Sequence, residues 1–221
     1  MRKIRLSLLT LCALAVPATA LAVVAPVSPS GGAKVKTPTL VWSKAPADII
    51  DEVAIASSPS VETGGALVAT NVVDSTAPGN DATTWTSTNS GLWAGRYWWV
   101  VKSHTSGAPA TYTAPASFSL ATALRCSPPR GQGKKRRHLY LTISCISNAH
   151  AIRIRLSIKG GGAGKTLTRT VTVKAPNDTQ AGAIFDWKVP SSVGKGAKLR
   201  LRAVVSAGSK SVRTASTVAA P

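Results

Sequence analysis

Between its turn residues this chain writes one pattern repeatedly, an apolar side chain followed by a polar or small one. "AIRIRLSIK", Ala151 to Lys159, sets Ile152, Ile154, Leu156 and Ile158 two positions apart, with Arg153, Arg155 and Ser157 between them and Lys159 after them. A period of two is the period at which side chains leave opposite faces of a strand, whereas one face of a helix needs steps of three and four. The same spacing recurs at Leu40 and Trp42, Val53 and Ile55, Tyr97, Trp99 and Val101, and Ala116, Phe118 and Leu120. It returns at Leu139, Leu141, Ile143 and Cys145, at Phe185, Trp187 and Val189, and at Leu199, Leu201, Ala203 and Val205. No helical period persists, and Gly31-Gly32, Gly64-Gly65 and Gly79-Asn80 punctuate the runs as turns. The pattern predicts an all-β chain.

Charge divides it. Residues 21–122 carry five Lys and Arg (Lys34, Lys36, Lys44, Arg96, Lys102) against six acids. Residues 123–221 carry nineteen Lys and Arg against Asp178 and Asp186 alone. Such a contrast predicts two domains, of which only the second attracts polyanions. Ahead of both stands "MRKIR", a basic segment, then "LSLLTLCALAV", an apolar run, then the small-residue site Ala18-Thr19-Ala20. This is the plan of an export signal, with cleavage after Ala20 or after Ala22. The apolar run is too short for a membrane of roughly 30 Å, and Cys12 lacks the small residues that precede a lipidated cysteine. The expected organisation is a signal peptide over residues 1–22, a first domain over 23–122 and a basic second domain over 123–221.

In an exported chain, Cys126 and Cys145 predict a disulfide between neighbouring strands. The chain-entropy account makes such a ring worth on the order of 3 kcal/mol. His104, His138 and His150 stand at no metal-ligand spacing, so no metal or other cofactor is expected.

"KGGGAGKT", Lys159 to Thr166, looks like a phosphate-binding loop but is one residue short, because Lys159 occupies the position of the first glycine. The strand-like "LTRTVTV" follows it where a helix is required. The glycines predict a hairpin turn.

The first half resembles fibronectin type III and immunoglobulin-like modules of exported bacterial proteins. The resemblance rests on the opening "PVSPSGGAKVKTPTLVWS", the middle "LWAGRYWWVV" and the closing "ASFSL". It implies a β-sandwich and leaves the ligand unspecified. The second half resembles immunoglobulin-like repeats in pattern only, with seven short strands in about a hundred residues. The fold expected is two tandem immunoglobulin/fibronectin III-like β-sandwich domains.

Catalytic residues are hard to find. None of the three histidines sits in the context of a nucleophile or its base. Asp48, Asp51 and Glu52 cluster just ahead of a strand, where acids are usually solvated turn residues, and Glu62, Asp74 and Asp81 are isolated. The chain is read as a non-enzyme, with an unrecognised hydrolase as a distant alternative.

Two groups of residues remain as candidate sites. Trp42, Trp99 and Trp187 have core parity, but Trp98 points outward and Trp93 lies in the turn before Gly95. These two could stack on sugar rings, or they could cover a sheet edge or the domain junction. The second group is basic. "KKRR", Lys134, Lys135, Arg136 and Arg137, is placed in the loop between the two cysteine-bearing strands. Arg153, Arg155 and Lys159 share one outward face, Lys198, Arg200 and Arg202 another, and Arg213 points outward on the last strand. If these strands lie in one sheet, their cations form a ladder that opposing like charges would destabilise. An anionic partner would relieve that cost, although charge runs are also common as solvated faces.

The function expected is that of an exported surface or matrix protein, structural or adhesive. Its basic domain would hold anionic cell-wall or extracellular polymers. No motif that reads nucleic-acid bases is visible, and no transmembrane segment is expected in the mature chain. An accessory carbohydrate-binding module using Trp93 and Trp98 is the alternative.

Overall fold

The structure, a computed structural model, describes residues 24–177 and 181–221. The signal peptide expected over residues 1–22, and Asp178, lie outside the described residues. Nine strands form the first part of the chain: β1 (Ala25–Ser28), β2 (Ala33–Val35), β3 (Thr39–Ser43), β4 (Asp48–Ala56), β5 (Val72–Thr76), β6 (Thr84–Thr86), β7 (Gly95–Thr105), β8 (Thr111–Tyr112) and β9 (Ala116–Leu120). Eight more follow: β10 (Leu124–Cys126), β11 (Arg130–Lys134), β12 (His138–Ser147), β13 (Ala151–Gly160), β14 (Ala163–Thr172), β15 (Ala181–Lys188), β16 (Lys198–Ala207) and β17 (Lys210–Ala219).

The first nine strands make two sheets, in the orders β1-β3-β6 and β2-β9-β7-β4-β5, with β8 added beside β7. Residues of the parity read from the sequence meet between them. Leu40, Trp42, Val53, Ile55, Tyr97, Trp99, Val101, Phe118 and Leu120 are all buried in one cluster. Each such side chain contributes roughly 1.5–3 kcal/mol by leaving water. The other face of β4 and β7 is covered as well. Ala54, Ala56 and Val100 pack there with Leu67, from the segment that leads into β5. Burial on both faces explains why "WWVV" is a continuous apolar run instead of an alternation.

The acids placed ahead of a strand belong to the strand itself, because β4 begins at Asp48. Its pairing with β7 shifts register between Ile50 and Glu52, which accommodates Asp51 as an extra residue. Asp51 then faces His104 at 3.0 Å, and the Asp48 carboxylate accepts the Ala45 N–H at 2.6 Å. Local polar partners, rather than solvent alone, hold these side chains.

The last eight strands form a second sandwich. One sheet runs β14-β13-β16-β17, and the other runs β10-β12-β11 with β15 along the opposite edge of β12. Ile152, Ile154, Leu156, Ile158, Leu199, Leu201 and Val205 meet Leu139, Leu141, Ile143, Phe185 and Trp187 in the core. Cys126 and Cys145 are direct partners in the β10–β12 ladder and are joined by a disulfide. The span between the cysteine-bearing strands is not the plain loop expected. It holds β11 and a turn over Lys135–Arg137. "RGQGK" contains no apolar residue, which hides the strand. Its glycines answer a steric demand, since a Cβ on Gly131 would lie 2.9 Å from Val218 Cγ1.

The glycine-rich stretch after β13 is the hairpin turn expected. Gly160 pairs with Ala163, and Gly161 and Gly162 between them have φ of 57° and 78°. Positive φ at both central residues matches the twist of a two-residue hairpin. Among the described residues, no strand of the first nine pairs with one of the last eight. The link between them is tied down nonetheless. The Ala121 N–H donates to Val35 O at 2.7 Å, the Ala123 N–H to Asn148 Oδ1 at 2.7 Å, and Ser147 Oγ to Ala123 O at 2.9 Å.

Candidate anionic-polymer interface

The outer face of the β14-β13-β16-β17 sheet gathers seven cations. Arg153, Arg155 and Lys159 project from β13, Lys198, Arg200 and Arg202 from β16, and Arg213 from β17, all exposed. Alternation with buried Ile, Leu and Val fixes the direction of each, because a one-residue slip would bury the charges. Among the described residues, none of the seven has a carboxylate within ion-pair distance, and the outward positions of these four strands include no acid.

Register decides how closely the charges crowd. Across β13 and β16, Arg153 faces Ser206, Arg155 faces Val204, Ser157 faces Arg202 and Lys159 faces Arg200. Across β16 and β17, Arg202 faces Ala215 and Val204 faces Arg213. Only Lys159 and Arg200 are directly opposed like charges among these pairs. The ladder is therefore staggered, and the repulsion expected of it falls on one pair. Neighbouring cations of one strand stand about 7 Å apart, where two unit charges in water repel by about 0.6 kcal/mol before salt screens them.

Between the cations lie small or hydroxylated side chains that leave room for a ligand. Two shallow depressions share Arg202. One, of about 460 Å³, is lined by Ser157, Lys159, Lys198, Arg200 and Arg202. The other, of about 480 Å³, is bounded by Arg202, Val204, Arg213 and Ala215. Beyond β13, Thr166, Thr168 and Thr170 extend the same face with hydroxyl groups. The sequence reading overlooked them, although every second residue of "TLTRTVT" is threonine.

The "KKRR" cations are elsewhere. Lys134 ends β11 and the other three follow it, in the other sheet of the sandwich, so they do not join the seven. Lys134 Nζ lies 5.8 Å from the centre of the Tyr140 ring, a cation–π contact. Arg137 is half-buried, and its guanidinium donates to the carbonyls of Pro190, at 2.9 Å, and Val193. That group holds a loop in place. Lys134, Lys135 and Arg136 remain exposed.

Both candidate tryptophans are half-buried. Trp93 stacks on His150 with centroids 4.1 Å apart, and it packs against the core of the second sandwich. Around it the Ala94 N–H donates to Asn148 O at 2.8 Å, and Asn177 Nδ2 donates to Ser90 O at 2.8 Å. The Tyr97 hydroxyl donates to Trp93 O at 2.8 Å, and burial pushes the Tyr97 phenol above its usual pKa despite that hydrogen bond. Trp93 thus serves the contact between the two sandwiches. Trp98 is half-buried on the outward face of β7, with the Arg96 guanidinium 5.3 Å from its ring centre.

Two sandwiches, each around its own core and antiparallel in every strand pair except β2–β9, give this chain a tandem fold of the fibronectin III/immunoglobulin-like kind. No protein-family model matches the chain, and no curated protein matches it. Solved structures similar to it include the fibronectin(III)-like modules of Clostridium thermocellum CbhA, at 11% identity over 87% of this chain and 92% of that one, TM-score 0.31. The FN1–FN3 domains of chicken CNTN1 match at 8% identity over 86% of this chain and 62% of theirs, TM-score 0.31. Dimeric latent PorU of Porphyromonas gingivalis matches at 13% identity over 89% of this chain and 20% of its own, TM-score 0.31. The chain therefore spans less than two thirds of the length of the latter two. The class assigned rests on the chain's own strand order and cores.

Proposed function

We propose that this is a non-catalytic exported protein of the cell surface or matrix, which holds anionic polymers on the outer face of its second sandwich. One observation carries the reading: seven cations share that face with no carboxylate among its described neighbours. A face built this way meets a polyanion at low cost, since binding removes repulsion and releases counterions. The first sandwich serves as the supporting module, joined through Trp93, His150 and the hydrogen-bonded link at residues 121–123. The cystine at Cys126–Cys145 suits an oxidising compartment outside the cytoplasm. Sugar stacking is the weaker reading, because Trp93 already stacks on His150 and the Arg96 guanidinium lies near the ring of Trp98.

Chromatography of the full chain on an immobilised anionic cell-wall polymer tests the proposal. Retention at low salt with elution as salt rises is expected, and passage without retention at low salt would overturn it.

A further inference from the structure

The seven cations are not scattered evenly over the sheet. Lys198, Arg200 and Arg202 follow one another along β16, each one step of two residues beyond the last. Arg202 stands opposite Ser157, and the next outward position along β13 in the same direction is Arg155, followed by Arg153. Five cations therefore succeed one another in the strand direction with a single sideways step from β16 to β13. Steps of two residues along a strand are about 7 Å, the diagonal step is about 8 Å, and the whole track is about 28 Å long. Arg213 lies on a side branch. It shares a row with Arg155 and is equally far from Arg202, but the next outward residue beyond it is Ser211.

We infer that Lys198, Arg200, Arg202, Arg155 and Arg153 form one track that holds a linear phosphodiester polymer along the strands, one phosphate per cation. The inference rests on the polyanion reading and specifies its ligand. A polymer with a short polyol or sugar between phosphates repeats its charge at about the distance of one strand step. Four of the five cations are arginines, whose planar guanidinium takes two phosphate oxygens at once. Ser157, Ser206 and Ala215 flank the track and leave the backbone of the polymer room to lie flat. The face has no aromatic residue on which bases could stack, so the backbone of the polymer is what is gripped.

The test uses the full chain with glycerol-phosphate oligomers of increasing length, and with hyaluronan fragments of matched total charge but wider charge spacing. Affinity for the phosphodiester should tighten up to about five phosphates and then level, with a limiting slope of log K against log salt of about −3.5 for a single-stranded ligand. Arg155→Gln and Arg213→Gln remove the same charge from the same row of the same sheet. Arg155→Gln should weaken binding of the five-phosphate oligomer about tenfold, and Arg213→Gln less than twofold. Circular dichroism melting checks that both variants fold. Equal losses in the two variants, or hyaluronan binding as tight as the phosphodiester, would overturn the track while leaving a diffuse polyanion-binding face. Absence of binding to either polymer would overturn the track together with the reading beneath it.

Discussion

Reducing the Cys126–Cys145 disulfide should destabilise one sandwich and spare the other. β10 is only three residues long, and its ladder to β12 consists of Leu124 opposite Ser147, Arg125 opposite Ile146 and Cys126 opposite Cys145. Beyond Cys126 the chain passes through Ser127, Pro128 and Pro129 before β11 resumes pairing on the same edge of β12. The cystine is thus the one covalent tie on an edge strand interrupted by prolines, which donate no ladder hydrogen bond. With the cysteines nineteen positions apart in sequence, the chain-entropy relation gives about 3 kcal/mol. For a unit of about a hundred residues that lowers the melting temperature by roughly 12 to 24 °C. Differential scanning calorimetry with and without reductant reads the shift, and alkylation with mass spectrometry confirms the redox state. The Cys126→Ala/Cys145→Ala variant should reproduce it with a small added loss from the cavity at Cys145, which is buried. Free thiols in native oxidised material, or a loss under 1 kcal/mol, would refute the reasoning. So would an equal shift of both sandwiches.

Residues 23–122 and 123–221 made separately should each melt cooperatively, since each range holds its own buried cluster; a disordered fragment would show that one sandwich needs the other. Trp93→Ala removes the stack on His150, an interaction worth about 0.5–1.5 kcal/mol beyond area, so it should lower the full chain's stability by at least that much. No change on melting would mean that Trp93 is not part of the contact. The raised pKa of Tyr97 predicts a loss of stability in alkali. Its folded pKa exceeds the ordinary phenol value of 10.0, so its contribution is complete below that pH and is lost as pH rises through the folded value. Tyr97→Phe should flatten that part of the stability profile, and an identical alkaline slope in both proteins would contradict the burial argument.

Strand faces were legible in the sequence because solvent sits on one side of most strands. Ile152 to Ile158 and Leu199 to Val205 announce both their conformation and the outward direction of the cations between them. Legibility failed where that simple boundary fails. Trp98 and Val100 have outward parity, yet one is half-buried and the other buried, and Val100 is buried because Leu67 covers it from a distance in sequence. β11 has no apolar residue to reveal it, as its backbone pairs with β12 while the C-terminal residues Val218 and Pro221 press on its glycines. Arg137 reads as one of four equivalent cations, and only the fold brings the carbonyls of residues 190 and 193 to its guanidinium. The stagger of the arginines was likewise beyond reach. Spacing along one strand is written in the chain, but the register between strands is set by the hairpin turn and by packing across the core.

Replacing Arg153, Arg155, Arg200 and Arg202 together with glutamine tests the central claim most directly. All four are exposed and unpaired with any described carboxylate, so the variant should melt at the same temperature or slightly higher as repulsion is relieved. Its affinity for an anionic cell-wall polymer at low salt should nearly vanish, and its remaining salt dependence should be shallow because few counterions are displaced. Wild-type affinity and salt slope in the folded quadruple variant would contradict the account and move the site to Lys134, Lys135 and Arg136 on the other sheet.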